Sequence, residues 1–196
     1  MIFFTSDLHV GHTNILNLCK RPFTNIIEHD DTIIKNHNNV VSDVDTIFDL
    51  GDVGFRCSPY YLTECLKRMN GKRVVFLGNH DKPLRQAYNN GLLKDLMKKH
   101  KLEIIGDDYA INDPSVSISK MLEIEGQKVF VGHYALRTWP SAFRNAYHLY
   151  GHSHGNLLEP FYKSFDVGVD NHNFFPWGWQ EIKDRIAAIN IEFKED

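Results

Sequence analysis

No apolar run in this chain approaches the roughly 20 residues that a membrane-spanning helix needs, so it does not read as a membrane protein. Cysteine is scarce: Cys19, Cys57 and Cys65 are an odd number without CxxC spacing, which sets aside a disulfide scaffold or zinc knuckle and suits reduced thiols. Neither sign of charge dominates. Lysine and arginine number 22 against 25 aspartates and glutamates, a net of −3 that gives no general pull toward a phosphate backbone and argues against dedicated binding of duplex nucleic acid. Met1-Ile2-Phe3-Phe4 lacks the basic lead and long apolar core of a signal peptide, so the expected location is the cytoplasm. Repeats, low-complexity tracts and linker-like runs are missing too, and 196 residues suit a single domain spanning 1–196.

What the chain has in excess is histidine, with 11 residues, and most of that excess falls in short runs that follow hydrophobic strands. Ile2–Ser6, Thr46–Leu50 and Arg73–Leu77 read as buried strands, and each leads into a polar run: Asp7-Leu8-His9, Gly51-Asp52 and Gly78-Asn79-His80-Asp81. Between them, helical spacing over 13–19, 26–41 and 59–69 makes three successive strand–loop–helix units, the pattern of a parallel sheet. Residues 84–100 read as two short helices broken near Asn89-Asn90-Gly91. The pattern then turns to strands, at 103–105, 115–124, 128–131, 147–150 and 165–169. The second and third of these are joined by a hairpin at Glu125-Gly126-Gln127, and a last helical turn over 180–184 precedes a strand over 186–193. Gly132-His133 and Gly151-His152-Ser153-His154 again follow strands.

Side chains at the ends of neighbouring strands converge on one rim of a sheet, where open α/β sheets bind what they act on. Aspartate, histidine and asparagine together suit a borderline divalent cation such as manganese, iron, nickel, zinc or cobalt, rather than the all-oxygen shell of calcium. There are enough donors for two ions sharing one carboxylate. Such a pair can hold a hydroxide between them and grip both oxygens of an in-line phosphoryl displacement, so the expected chemistry is phosphoester hydrolysis.

The five runs, in this order, resemble the D-x-H, G-D, G-N-H-D, G-H and G-H-x-H blocks of the calcineurin-like metallophosphoesterases, and the likeness extends from residue 2 to about 170. Ser6 to Asn14, Arg21-Pro22-Phe23 and Gly168-Val169-Asp170 are further similar to the small, stand-alone bacterial and phage members. The chain departs from the serine/threonine phosphatases, whose D-R-G pattern Gly51-Asp52-Val53-Gly54-Phe55 does not continue. The resemblance implies an α/β, four-layer α/β/β/α sandwich with its metal site at the C-terminal rim of the strands. By matching position, Asp7, His9 and His154 would hold the first ion, Asn79, His133 and His152 the second, and Asp52 would bridge them. His80 matches the family's non-ligand histidine, which would protonate the leaving oxygen or stabilise developing charge, its ring oriented by Asp81 or Asp49. The glycines at 51, 78, 132 and 151 are expected to let the chain turn and bring the next side chain onto the metals.

Around this centre, His12, Asn14, Arg137 and Trp139 are candidates for contact with substrate, and Arg21, Arg56 and Arg144 are further candidate phosphate clamps. The loop 134–145, between two ligand-bearing strands, is expected to overhang the metals, with Tyr134, Trp139 and Phe143 either stacking on a base or packing the loop down. Phe174, Phe175, Trp177 and Trp179 read as core closure or a homodimer surface. The expected activity is a dinuclear, manganese-favouring phosphodiesterase acting on small nucleotide-like substrates. A phosphomonoesterase and a non-catalytic, metal-binding interaction scaffold are the alternatives.

Overall fold

A computed structural model describes residues 1–157 and 161–189. The first half alternates strand and helix: β1 (Ile2–Thr5), α1 (Ile15–Leu18), α2 (Ile26–Val40), β2 (Thr46–Asp49), α3 (Pro59–Lys67), β3 (Lys72–Val75), α4 (Lys82–Asn89), α5 (Lys94–Lys98) and β4 (Leu102–Ile104). After α6 (Asp108–Asn112) come β5 (Ser119–Ile124), β6 (Gln127–Gly132), β7 (Tyr147–Tyr150), β8 (Ser164–Asp166), β9 (Trp177–Gly178) and α7 (Trp179–Ala187). None of the described helices is long and apolar enough to cross a membrane.

Two sheets result. One has the order β4-β3-β2-β1-β9 and the other β5-β6-β7-β8. Strands β1 to β4 are parallel, as alternating strand–helix connections require, and β9 joins antiparallel at the edge. In the second sheet the β5–β6 hairpin is antiparallel while β6, β7 and β8 run parallel.

Side-chain alternation along each strand sets the layers. On β3 and just beyond it, Val74 and Phe76 face a core shared with Val129, Val131, Leu149 and Phe165 of the second sheet. Val75 and Leu77 face the opposite side and meet Ile33 of α2, Leu62 of α3 and Leu84 of α4. Helix α7 places Trp179, Ile182 and Ile186 against the inter-sheet core. On β6 the intervening Phe130 points outward and packs with Trp139, Ala142 and Tyr162. The architecture is two sheets flanked by helices, with the outer face of β6 also carrying a packed loop.

Several expected elements are resolved differently. The helix expected over 13–19 is a single turn, because Lys20 takes a left-handed conformation (φ 51°) and swings Arg21 inward; Asn14, not Thr13, precedes it and makes no side-chain cap. The strand expected from 115 begins at Ser119. Ahead of it the Asp107 side chain caps α6 at Ala110 N, a helix the periodicity did not signal. The hairpin turn has two residues, Glu125 (φ 51°) and Gly126 (φ 80°), which matches the type I′ geometry that suits strand twist. The strand expected over 165–169 is β8 followed by a 3-10 turn at Val169–Asn171. Ile186 is helical, so no strand begins there, and 190–193 of that expectation lie outside the described residues.

Candidate metal centre

The two sheets, packed over their shared core, are joined just past the C-terminal ends of β1 and β8. Just past β1, Ser6 forms a parallel bridge with Gly168, Val169 N donates to Ser6 O at 3.1 Å, and Asp7 N donates to Gly51 O at 2.9 Å. This junction places the residues after β1, β2 and β3 beside those after β6 and β7. Two donor triads form there, Asp7/His9/His154 and Asp52/His133/His152, each with one ligand atom per residue lying within 4.8 Å of the others. Asp52 faces both: Oδ2 lies 3.6 Å from His9 Nε2 and Oδ1 lies 3.5 Å from His133 Nε2. Asn79 joins the second group, its Oδ1 3.1 Å from His133 Nε2.

Backbone geometry at these positions is unusual. Asp7, His9, Asp52, His152 and His154 all have φ between 47° and 67°, the left-handed region that non-glycine residues rarely occupy. The donors make their own sharp turns, so the neighbouring glycines serve partly in another way. A Cβ on Gly151 would fall 1.9 Å from Ser6 Oγ, and one on Gly78 would fall 2.2 Å from Asp52 Oδ1. These two glycines let ligand-bearing segments approach closely.

The donor set calls for a cation. His9 is buried with neither ring nitrogen partnered, which is costly for a polar group unless an ion sits against it. His133 Nδ1 lies 2.8 Å from the Leu50 carbonyl and donates to it, leaving the Nε2 lone pair aimed at two oxygen acceptors, Asn79 Oδ1 and Asp52 Oδ1. A proton or a metal ion resolves that clash. The titration tendencies agree. Burial pushes the Asp7 carboxyl up to about 7. Burial works to lower His133, but the hydrogen bond and charge of Asp52 outweigh it and carry the ring up to about 9. Burial holds His9 well below its ordinary value. Buried carboxylates and imidazoles this close together fit a pair of divalent ions.

A second set of residues holds the donors in place. His154 Nδ1 lies 2.7 Å from Asp170 Oδ2, which turns Nε2 toward Asp7 Oδ1 at 4.0 Å. Despite the opposing effect of burial, this bond, with Cys19 and Asp7, raises His154 to about 10, while His154 and Arg21 draw Asp170 down to about 2. The Arg21 guanidinium grips both Asp170 oxygens at 2.8 and 2.7 Å and also donates to the carbonyls of Asp7 and Leu8. His29 Nε2 accepts from Arg21 at 2.7 Å and its Nδ1 donates to Asp30, whose other oxygen accepts from Tyr61 and from Gly11 N. An unbroken polar chain thus leads from the first triad to α3. Asp81 accepts from the backbone N–H groups of Gly78, Asp52 and Val53 at 2.7, 2.9 and 2.7 Å, joining two ligand loops.

His80 stands at this centre, half-buried, with its ring 5.7 Å from that of His9 and 4.2 Å from Phe55. The expectation that Asp81 or Asp49 orients this ring fails. Asp81 is occupied by the three backbone N–H groups, and Asp49 pairs with the Arg73 guanidinium. Arg21 is corrected as well, from a phosphate clamp to a buried brace. Trp139 is not a stacking surface: it is buried, donates to Ala146 O at 2.9 Å and packs on His148 and Tyr162, because the 134–145 loop needs an anchor on the outer face of β6. His12 is buried beside His9 at 5.2 Å between ring centroids, with Nδ1 unpartnered. Asn14, Arg137 and Arg144 are exposed, and none belongs to either triad. Arg56 is exposed and stacked over Phe55 at 5.2 Å; burial, then His80 and Arg56, hold His12 at about 4. Trp177 and Trp179 close the core. Sequence reasoning missed the bracing roles of Asp170 and Arg21, and the hydrogen bond from Tyr134 to Asn79 Oδ1 at 3.3 Å; for Tyr134 alone, adjacency to Gly132-His133 was an available signal. A cavity of about 800 Å³ at the β1–β9 edge, bordered by Ile2, Phe175 and Trp179, contains none of the donors.

No family model matches the chain. The uncharacterized protein MJ1445 of Methanocaldococcus jannaschii is 30% identical over 182 residues, spanning 89% of this chain and 85% of that protein. The gene 66 protein of Mycobacterium phage L5 is 34% identical over 83 residues, covering 41% of this chain and 40% of its own length. Among solved structures, the protein of unknown function AQ665 from Aquifex aeolicus superposes with a TM-score of 0.67 at 22% identity, over 95% of this chain and 99% of that one, and so shares the fold. A novel archaeal phosphodiesterase overlaps with a TM-score of only 0.43 at 21% identity, over 85% and 82% of the two chains, too loosely to bear on fold or function.

Proposed function

The chain belongs to the same family as the uncharacterized MJ1445 protein, whose name assigns no activity, and from its own site we propose that it is a dinuclear metal-dependent phosphoester hydrolase. The observation that carries this reading is the divided carboxylate of Asp52, one oxygen toward each histidine-bearing triad. Asp7, His9 and His154 would hold one ion, Asn79, His133 and His152 the other, and Asp52 both. When bound, such ions supply an acidified water and neutralise charge on the phosphoryl oxygens. The mixed oxygen and nitrogen donors make manganese the first ion to try, with iron, nickel, zinc and cobalt as alternatives.

In this reaction a water that has given up one proton to solvent forms the new oxygen–phosphorus bond, the bond to the leaving oxygen breaks with its electron pair, and the leaving oxygen takes a proton. His80, whose ring lies against Phe55, would give that proton. Arg56 presents an exposed guanidinium with no carboxylate partner among the described residues, fit for a phosphoryl oxygen, and His12 stands behind His9. A small diester with a nucleotide-like part suits the loops that rise beside the centre. The four-layer sandwich and a cytoplasmic setting, which three unpaired cysteines suit, belong to the same reading.

Metal-stripped protein re-supplied with manganese, nickel, zinc or magnesium should hydrolyse bis-p-nitrophenyl phosphate faster than p-nitrophenyl phosphate, with two ions per chain by mass spectrometry. Monoester preference would make it a phosphomonoesterase. No turnover with two ions bound would overturn the hydrolase reading in favour of a scaffold. Asp52→Asn should lose bound metal and activity together, and full occupancy in that variant would refute the shared carboxylate. His80→Ala should keep its metal and slow about 100-fold, the scale for loss of a general acid; an unchanged rate would remove it from the reaction.

A further inference from the structure

Residues that follow the donor histidines in the chain line an open cavity of about 390 Å³ on the outer face of the second sheet. One wall is Ala135 to Arg137, directly after His133 and Tyr134; the other is Leu157 and Phe161, after His152 and His154. Tyr150 and Ser164 form the floor. They lie on β7 and β8, two residues apart in register, and on the face opposite Leu149 and Phe165, which enter the inter-sheet core.

The lining is unusual for a surface. Leu136, Leu157 and Phe161 are 39, 54 and 44% exposed, which clusters apolar area at one place instead of scattering it. Arg137 borders the same space and has no carboxylate partner among the described residues, so an apolar slot ends in a free guanidinium. The first wall is also held in place before any ligand arrives. Leu136 N donates to His148 Nε2 at 3.1 Å, and the buried Trp139 anchors the loop that follows. Tyr134, next to Ala135, reaches Asn79 Oδ1 and lies edge-on to His152 at 4.7 Å, so the first wall begins beside the second triad. Its volume falls in the range of about 300–1,000 Å³ typical of small-molecule sites.

Resting on the phosphoesterase reading, we propose that this cavity is a subsite for a nucleoside monophosphate unit of the substrate, on the Tyr134 side of the metal centre. The base lies against Leu136, Leu157 and Phe161, and a phosphate other than the scissile one pairs with Arg137. A flat, apolar ring with an anionic group is the chemistry such a slot recognises. The substrate class is then a dinucleotide or an oligonucleotide end, in which one unit is read at a distance from the bond that breaks.

Calorimetric titration of adenosine 5′-monophosphate into metal-free and manganese-loaded protein tests this directly. Binding should be measurable in both forms and at least tenfold weaker in Arg137→Ala and in Leu136→Asp, while both variants hydrolyse bis-p-nitrophenyl phosphate within about twofold of wild type. Both positions are exposed, so the substitutions leave the core intact. Unaltered binding in both variants, or none in the wild type at millimolar nucleotide, would overturn the subsite. Turnover of the diester without nucleotide binding rejects the subsite and leaves the hydrolase. Nucleotide binding that depends on Arg137, without turnover with any metal, keeps the subsite and rejects the hydrolase.

Discussion

The two triads are built from similar donors but braced in opposite ways. Behind the first lie ionised groups, Asp170 on His154 and Arg21 on Asp170, with the buried His29 and Asp30 side chains behind them. The second group's side chains instead meet neutral partners, the Leu50 carbonyl on His133 and the Tyr134 hydroxyl on Asn79, while Asp81 ties the backbone of its loops. Asp7 and His9 are buried, whereas His152 is exposed and Asn79 half-buried. A donor fixed by a charged partner is more basic and better oriented than one fixed by a carbonyl. On the proposed dinuclear reading, the first position would hold its ion more tightly than the second.

Removing the charged brace should break this contrast most visibly. Asp170→Asn is expected to weaken the first ion by about 10–100-fold, the usual range for an outer-shell partner, and to leave the second within twofold. Chelator competition with ion counting reads both, and equal losses would mean that the two positions are not independently braced. The next effect concerns acid. His37 is buried beside Arg73 and donates to Asn70 O at 2.9 Å; burial, then the Arg73 charge, hold it at about 3, below its ordinary 6.5. The unfolded chain accepts a proton that the native one refuses between those values, so this part of the stability is full above about pH 6.5 and declines as pH falls. One such group changes stability by about 1.4 kcal/mol per pH unit across the window. Denaturant midpoints of metal-free protein between pH 7 and 4 should fall less steeply in His37→Gln, and parallel slopes would clear His37. Smallest is Tyr134→Phe, which removes one exposed hydrogen bond and should weaken the second ion by about threefold. A loss as large as that in Asp170→Asn would erase the distinction between the two braces.

The donor residues could be read in the sequence because each follows a hydrophobic strand within a few positions, and strand ends of a parallel sheet must share a rim. Strands β1 to β3 and the broken helix pair were legible for the same reason: period and punctuation are local. The bracing was not. Arg21 and Asp170 are far apart in the chain, and nothing in a window around either one signals a bidentate pair. Trp139 illustrates the reverse error. An aromatic residue in a loop beside a site can stack on a ligand or hold the loop down, and only its burial on His148 distinguishes these. The edge strand β9 escaped notice because two residues ending in glycine carry no alternation.

The left-handed backbone at Asp7, His9, Asp52, His152 and His154 limits what this chain can become. Each position costs on the order of 1 kcal/mol relative to a relaxed residue, and asparagine or glycine would relieve most of it. A lineage that no longer needed the donors would gain stability by drifting toward those residues at every one of the five. Aspartate and histidine at such angles are a standing tax on folding, and a protein that merely displayed a surface to a partner would have no reason to keep them.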